Sequence, residues 1–359
     1  MDKNKTVFLI HPGKSLEEAL LFINMSQLEL SNRTGIATKT INEIIKGKNP
    51  ITPETALKFE KVLNIEAPFW NNLQKNYDEL VERSKERNLM IKHTELVKSY
   101  SCYPQLVELG YVKAPENKNR QEIALEKFTN LLHFFSVSSL NQVIQTNGIA
   151  FRKADGEYSK ENLAAWLRCA EIEAEKNSLP EYDEGKLKSK LDFFRSLTLL
   201  PPNFAQTLKD TCFECGVLIV YTPYFTKTRL NGAFRWFRNI PVVQLNSKGA
   251  YSDIFWFTFF HELGHLLKHG KKDEFIEFTN ITNIDKKELE ADDFAINTLI
   301  PNQKYIEFTN AYSNFSNTSI IEFANEVNIA PGVVAGRLAR EKKITWPASL
   351  AICQVPLLS

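Results

Sequence analysis

The feature that most constrains the fold is an apolar segment, residues 255–270, with the sequence FWFTFFHELGHLLKHG. It contains two histidines, His261 and His265, four positions apart. Four residues make about one turn of an α-helix, so both imidazoles face the same side and can bind one ion. Glu262 follows the first histidine and is placed to accept a proton from a water on that ion. The pattern predicts a zinc (Zn2+) site of the kind that hydrolases use.

Apolar side chains surround these polar residues, which predicts a buried core helix. They are Ile254, Phe255, Trp256, Phe257, Phe259, Phe260, Leu263, Leu266 and Leu267. A histidine or glutamate buried in such a helix needs a partner, and a metal ion provides one. The alternative is an ordinary core helix whose polar groups are satisfied by other protein groups. The apolar flanks favour the metal site.

A third protein ligand is expected from a second, acidic segment, DKKELEADDFA. Asp285 and Glu288 have the spacing of a capping box, which would give Glu288 a structural role. We therefore expect Glu290 to be the third ligand, with Asp292 or Asp293 orienting a ligand histidine from behind. The alternative takes Glu288 as the ligand, with Asp292, four residues on, behind a histidine.

Composition narrows the class of protein. The chain has 359 residues, of which 43% are hydrophobic and 24% charged, as expected for a globular protein of two or three domains. No apolar run approaches the roughly 18 residues of a membrane span, so no membrane partner is expected. Five cysteines with scattered spacing suit a reducing compartment, and we expect a cytoplasmic protein. The net charge of +1 means that any DNA binding must come from a local patch.

The first 80 residues carry the pattern of a helix-turn-helix bundle. Helical periods at residues 27–33 and 37–46 are separated by a turn in which Gly35 is free to take a positive φ. A further helix should start at Thr52 as N-cap, with Pro53 in its first position. Two short helices joined by a glycine turn are the arrangement that places a helix in the DNA major groove.

Short β-rich segments precede the histidine helix. Residues 216–221, 232–237 and 241–246 are the strand candidates. Residues 242–245, just before the histidine helix, are a plausible edge strand for an extended substrate. The expected fold class is mainly α with a small β-sheet (α+β).

Residues 11–78 resemble the HigA-type antitoxin and repressor branch of the lambda-repressor-like helix-turn-helix proteins. The similarity includes MSQLELSNRTGIATKTINEIIKGKNPITPETALKFEKVLNIEAPFWNNLQKNYD. The resemblance implies that Gln27 contacts a backbone phosphate. It also implies that Thr38, Lys39 and Glu43, with Asn42 nearby, face the major groove of operator DNA.

A helical interaction module that does not read DNA is the alternative for this head. A single head makes few contacts with DNA, so useful affinity would need a homodimer on two half-sites.

Residues 200–340 resemble the ImmA/IrrE metallopeptidases, on the segments GVLIVYTPYF, PVVQLN, HELGHLLKHG and ELEADDFAINTLIP. The resemblance implies zinc bound by His261, His265 and Glu290, with Glu262 as the base. It also implies proteolysis of a repressor or antitoxin. The residue that stabilises the oxyanion is left open among Arg235, Tyr251 and His269.

The domain organisation expected from these patterns has four parts. They are a HigA-like head (1–80), a helical connector (81–200), a zincin-like peptidase core (201–310) and a helical pair packed on it (311–359). The expected function is a DNA-binding regulator with a zinc-dependent endopeptidase that cleaves a repressor or antitoxin-type partner in response to stress or a signal. The alternative is a non-enzymatic, antitoxin-like repressor whose zinc-binding domain senses a signal or binds a partner.

Overall fold

The structure is a computed structural model that describes residues 10–146, 158–199, 204–228, 230–246, 252–269, 275–278, 286–312 and 314–345. The chain divides into two compact units, Met1–Thr94 and Glu95–Ser359. The fold is mainly α with a small β-sheet, as the sequence predicts. Across the described ranges, no helix is long and apolar enough to span a bilayer.

The first unit is a helical bundle. Its helices are α1 (Pro12–Phe22), α2 (Gln27–Thr34), α3 (Thr38–Ile45), α4 (Pro53–Leu63) and α5 (Ala67–His93). The residue chemistry explains where they start and stop. The Oγ of Ser26 accepts a hydrogen bond from the backbone N–H of Glu29, and Thr52 caps α4 in the same way, as predicted. Gly35 ends α2 with a φ of 70°, which confirms the predicted turn.

The core of this bundle fixes the position of α3. The side chains of Leu16, Leu30, Ile41 and Phe59 are fully buried together. Helix α1 comes so close to α3 that a Cβ on Gly13 would lie 1.8 Å from the carbonyl oxygen of Ile44. The absence of a side chain at residue 13 is therefore what allows the two helices to touch.

Helices also make up most of the second unit. A 3-10 helix, Thr94–Ser99, bridges the division between the units. The helices that follow before the sheet are α6 (Tyr103–Glu108), α7 (Arg120–Phe135), α8 (Asn141–Thr146), α9 (Lys160–Lys176), α10 (Glu184–Ser189), α11 (Leu191–Ser196) and α12 (Phe204–Glu214). Those that follow the first three strands are α13 (Ser252–Lys268), α14 (Lys286–Leu299), α15 (Asn302–Ala311), α16 (Asn317–Glu326) and α17 (Pro331–Arg340).

The sheet has four strands in the order β1-β3-β2-β4. They are β1 (Leu218–Thr222), β2 (Leu230–Phe237), β3 (Ile240–Asn246) and β4 (Phe275–Phe278). Strand β3 pairs in parallel with β1 and antiparallel with β2, and β2 pairs antiparallel with β4. The prediction that residues 242–245 form an edge strand is wrong, because β3 is hydrogen-bonded on both sides. The edges among the described strands are β1 and β4, and β4 was not among the predicted strands.

The segment predicted as a connector packs on this sheet. The Nε2 of Gln244 on β3 donates to the carbonyl oxygen of Trp166 on α9 at 2.7 Å. The guanidinium of Arg235 on β2 pairs with Glu171 on α9 at 2.9 Å. Helix α9 therefore belongs to the same unit as the sheet. The expected boundary at residue 80, in turn, falls inside α5.

Helix α13 is the centre of the second unit. It packs on the sheet through β2 and β3, on α14 along much of its length, and on α17. Most of its apolar side chains are buried as predicted, with Phe255, Trp256, Phe259 and Phe260 each at most 2% exposed. The other three, Ile254, Phe257 and Leu267, are half-buried. The aromatic side chains therefore seal the helix from water, and the polar residues on α13 must find partners inside the protein.

The contact between α1 and α3 gives a first prediction. We expect Gly13→Ala to destabilise the first unit by about 3 kcal/mol, because the new Cβ would overlap the backbone of α3, which cannot move aside as a flexible side chain could. Differential scanning calorimetry of the full chain measures the change. Gly185→Ala is the matched control, since a Cβ there meets only Asp183 Oδ1, at 3.4 Å. Equal effects of the two substitutions would contradict the packing argument.

Candidate metal centre and nucleic-acid interface

Two helices bring three potential metal ligands together. His261 and His265 lie on one face of α13, and Glu288 lies in the first turn of α14. All three residues are buried, with 2%, 1% and 6% of their surface exposed. Among the described residues, they form the one group of three or more His, Cys, Asp or Glu side chains whose ligand atoms lie within 4.8 Å of one another.

The distances between these ligand atoms fit a single small cation. The Nε2 atoms of His261 and His265 lie 2.9 Å apart. The Oε2 of Glu288 lies 3.3 Å from each of them. A tetrahedral zinc ion holds nitrogen and oxygen ligands at about 2.0–2.1 Å, which separates any two of them by about 3.3 Å. Two imidazoles and one carboxylate are also the donor set of known catalytic zinc sites. The residues present therefore fit zinc.

A carboxylate behind His261 fixes the orientation of its ring. The Nδ1 of His261 lies 2.8 Å from Oδ1 of Asp292, which is four residues after Glu288 on α14. A proton on Nδ1 makes this contact a hydrogen bond and leaves the Nε2 lone pair directed toward Glu288. Asp292 thus has the position that the sequence analysis considered for it, behind a ligand histidine.

The second histidine has a different neighbour. The Nδ1 of His265 lies 3.2 Å from Nδ1 of His269, and Nε2 of His269 lies 3.2 Å from Oε2 of Glu290. The sequence analysis considered His269 only as a candidate for oxyanion stabilisation and missed its contact with His265. The spacing of four residues between the two histidines is the signal that could have found it.

The electrostatics of the cluster suit a metal site. Burial lowers the pKa of His265 to about 4, with further lowering by the neighbouring His261 and His269, so this imidazole is neutral at pH 7. Burial acts to raise the pKa of Glu288, but the hydrogen bonds from His261 and His265 together hold this pKa well below its usual range. A neutral imidazole and an ionised carboxylate are the protonation states that bind a metal.

The structure does not place Glu290 where the sequence analysis expected it. Glu290 points away from the histidine pair, its side chain is 44% exposed, and its contacts are with His269 and Lys286. The reason is helical geometry, because two residues on α14 turn a side chain by about 200°. Glu288 and Asp292, four residues apart, share the face that contacts α13. The capping-box partner Asp285, whose spacing argued for Glu290, lies outside the described residues.

Glu262 is fully buried at the boundary between α13 and the sheet. A Cβ on Gly232, in β2, would lie 2.5 Å from Cγ2 of Thr258 and 3.0 Å from Oε1 of Glu262. The glycine therefore makes the space that this carboxylate occupies beside the histidine that precedes it in the chain.

The three candidates for oxyanion stabilisation have different outcomes. Arg235 is held away from the metal ligands, since it donates to Glu171 and to the carbonyl oxygen of Leu167. Tyr251 lies outside the described residues. His269 lies next to His265, on the side of the ring that faces away from Glu288.

The first unit presents the residues predicted to contact DNA on α2 and α3. Thr38 and Lys39 are exposed at the N-terminal end of α3, and Gln27, Asn42 and Glu43 are partly exposed. The apolar face of α3 is buried through Ile41, Ile44 and Ile45. The polar face of the helix is therefore the one available to a partner.

Glu43 has contacts within the bundle. Its Oε2 accepts a hydrogen bond from Nδ2 of Asn49 at 2.7 Å, and its Oε1 lies 4.0 Å from Nζ of Lys39. These contacts offset part of the charge that would repel phosphate. Lys39 itself is 86% exposed along its side chain and reaches beyond the helix surface.

Comparisons with known proteins match each unit separately. A family model described as the IrrE N-terminal-like domain, from a peptidase family, matches residues 213–339. A model described as helix-turn-helix matches residues 17–70. The two matches therefore cover α13 and α14, which carry the three candidate ligands, and α2 with α3.

Individual relatives are similar to a smaller part of the chain. Virulence-associated protein I of Dichelobacter nodosus is 34% identical over 79 residues, which is 21% of this chain and 73% of that protein. The uncharacterized HTH-type transcriptional regulator YddM of Escherichia coli is 35% identical over 63 residues, 18% of this chain and 67% of that protein.

Among solved structures, an addiction module antidote protein of the HigA family from Coxiella burnetii is 33% identical, with a TM-score of 0.22. That match covers 24% of this chain and 95% of the other. By the two family models and the two sequence relatives, the chain carries a domain of the helix-turn-helix family in its first unit and a domain of the IrrE N-terminal-like peptidase family in its second.

Proposed function

We propose that this chain is a DNA-binding regulator whose second unit is a zinc-dependent endopeptidase acting on a repressor or antitoxin-type protein. The observation that carries the proposal is the convergence of His261, His265 and Glu288 beside the buried Glu262. We take Glu288, not Glu290, as the third ligand. The match of the second unit to a peptidase family supports the reaction class.

The proposed reaction is hydrolysis of an amide bond. When bound, zinc acts as a Lewis acid that polarises a carbonyl oxygen and lowers the pKa of water to about 7. Glu262 takes the proton from the attacking water and gives it to the leaving amine nitrogen. Asp292 holds the ring of His261 in place, and the burial of Glu262 keeps bulk water away from its carboxylate. An extended substrate would pair with an edge strand of the sheet, β1 or β4, because both sides of β3 are already hydrogen-bonded to neighbouring strands.

The first unit would bind operator DNA through α3. Thr38, Lys39 and Asn42 lie on the exposed face of that helix, and Gln27 begins α2. One such unit offers few contacts, so a homodimer on two half-sites is the expected binding form. The similarity of the chain to an HTH-type transcriptional regulator supports this role. In the proposed scheme, stress or another signal triggers cleavage of the partner and so changes transcription.

A second candidate is a non-enzymatic repressor of the antitoxin type, in which the metal site serves as a sensor or a partner-binding module. The observation that favours it is that the two matched relatives align with only 21% and 18% of this chain, yet over most of their own length. A regulator with a similar helix-turn-helix unit therefore does not require a peptidase-type domain like the second unit of this chain.

The ligand assignment predicts how metal binding responds to mutation. Wild-type protein should contain about one zinc ion per chain, and Glu288→Ala should lose most of it, because two imidazoles alone hold the ion weakly. Mass spectrometry of the purified proteins measures the metal. Glu290→Ala, two residues away on the same helix, is the matched control and should keep its zinc. The reverse pattern would restore Glu290 as the ligand.

The role of Glu262 predicts a separation of binding from catalysis. Glu262→Gln keeps the size of the side chain but removes the base, so it should retain zinc and lose about 10²–10⁴-fold in cleavage rate. A fluorogenic peptide library and a co-expressed candidate repressor serve as substrates. Wild-type protein that is loaded with zinc and cleaves none of them, or a variant as active as wild type, would support the non-enzymatic candidate.

The proposed DNA interface predicts a change in salt dependence. Lys39→Ala should weaken binding to the DNA upstream of the protein's own gene and lower the slope of log affinity against log salt by about 1 for each bound head. Fluorescence anisotropy at several salt concentrations measures both. Lys75→Ala, an exposed lysine on α5, is the control and should leave the slope unchanged. Equal loss in both variants would mean that α3 does not face the DNA.

A further inference from the structure

Two polar residues beside the metal centre, His269 and Glu290, have no part in the proposed reaction. His269 follows the last residue of α13, and its backbone N–H donates to the carbonyl oxygen of His265 at 3.1 Å, so the helical geometry continues through it. Its side chain is only 4% exposed, whereas that of Glu290, in α14, is 44% exposed. A polar ring that has lost contact with water at the end of a helix needs hydrogen-bond partners in the protein.

Two contacts join these residues to a proposed metal ligand. The Nδ1 atoms of His265 and His269 lie 3.2 Å apart, and Nε2 of His269 lies 3.2 Å from Oε2 of Glu290. The planes of the two rings are inclined by 44°, with their centres 5.2 Å apart. The rings are therefore not stacked, and they meet through their nitrogen atoms. A chain of polar contacts leads from the buried His265 to a carboxylate at the surface.

The direction of the metal ligands fixes where the protons of this chain must lie. The Nε2 of His265 faces Nε2 of His261 and Oε2 of Glu288, so it is the nitrogen that would bind zinc. A neutral imidazole carries one proton, and that of His265 must then lie on Nδ1 and donate to Nδ1 of His269. His269 can accept it only if its own proton lies on Nε2, from which it donates to Glu290. One arrangement of protons therefore satisfies both rings and the carboxylate.

The two ligand histidines obtain their partners in different ways because of the geometry of α14. Asp292 lies on the face of α14 that meets α13, and its Oδ1 contacts Nδ1 of His261 directly at 2.8 Å. Glu290 is two residues earlier and is turned by about 200° around the helix, which takes its carboxylate out of reach of the ligands. The ring of His269 spans the remaining distance between Glu290 and His265.

We infer that His269 and Glu290 are positioning residues for the second metal ligand: His269 accepts the Nδ1 proton of His265, and Glu290 holds His269 in the tautomer that can accept it. Neither residue belongs to the group of three proposed ligands. The role rests on the metal centre of the proposed function but not on peptidase activity. A partner on the outer nitrogen restrains a ligand imidazole and raises its basicity, and loss of such a partner costs about 10–100-fold in metal affinity.

The zinc affinity of the full chain, measured by competition with a chelator of known affinity, tests this role. His269→Asn and His269→Leu are the informative pair, because their side chains are similar in shape but only asparagine keeps an acceptor close to the position of Nδ1. We expect His269→Leu to weaken zinc binding about 10–100-fold and His269→Asn to stay within about threefold of wild type. His133→Leu, the same substitution at an exposed histidine of α7, is the control and should bind zinc like wild type.

Glu290→Ala tests the outer end of the chain and serves the same purpose if His269→Leu does not fold. His269 stays in place in this variant but loses the group that fixes its tautomer, so we expect zinc binding to weaken by about two- to tenfold. A tight site remains filled after such a change, which is why the zinc content of purified Glu290→Ala should be unaltered while its zinc affinity falls. Thermal unfolding establishes that each variant is intact.

The tautomers provide a readout that a purely structural role would not change. In zinc-loaded wild-type protein with isotope-labelled histidine, proton–nitrogen NMR correlations should place a proton on Nδ1 of His265 and on Nε2 of His269. The preference of His269 for this tautomer should weaken in Glu290→Ala. A proton on Nδ1 of His269 in wild type, or a zinc affinity that is unchanged in both His269→Leu and Glu290→Ala, would overturn the role.

Two further outcomes separate this role from its rivals. Equal losses of zinc affinity in His269→Asn and His269→Leu would mean that His269 acts by packing or by binding the ion itself, and would overturn the role as a hydrogen-bond acceptor. Wild-type protein that binds no zinc would overturn this role together with the metal centre. Wild-type protein that binds zinc, with variants that bind it equally well, would overturn this role alone.

Discussion

The close contact between α13 and α14 is the constraint on which the proposed metal centre depends. A Cβ on Gly264 would lie 3.0 Å from the Cα of Ala291 and 3.2 Å from its carbonyl oxygen. The two backbones can be this near only because the residue between the histidines has no side chain. The approach brings Glu288 to the face that carries His261 and His265. Glycine costs about 1 kcal/mol in a helix interior, and the contact it permits offsets that cost.

Burial gives these polar groups their chemical character. In an exposed helix, the histidines would be partly protonated near neutral pH, and Glu288 would be hydrated. Here burial keeps His265 neutral, and the facing imidazoles keep Glu288 ionised. The apolar wall of α13 therefore does more than stabilise the fold, because it selects the protonation states that a metal site needs. This also explains why the richest aromatic run of the chain lies next to its most polar cluster.

The sequence predicted the parts of the site that depend on local spacing. The helix with His261, Glu262 and His265, its burial and the first three strands follow from periodicities within a few residues. The choice between Glu288 and Glu290 depended on which face of α14 meets α13, and the capping-box argument favoured the other residue. Strand order could not be derived either, because β3 lies between β1 and β2, which both precede it in the chain, and the distant β4 pairs with β2. The contacts that decide such questions join distant residues, and no local pattern encodes them.

The two halves of helix α13 differ chemically, and a glycine permits a close contact at each of them. One glycine, Gly264, is on α13, and the other, Gly336, is on α17. At the C-terminal half, Gly264 admits α14 and brings a carboxylate to two imidazoles. At the N-terminal half, Gly336 of α17 leaves room for the carboxylate of Asp253 beside a mainly apolar cavity between α13, α14 and α17. Asp292 also lines that cavity. It fixes the ring of His261 through a 2.8 Å contact, so the packing of α14 against α13 sets the orientation of a proposed metal ligand.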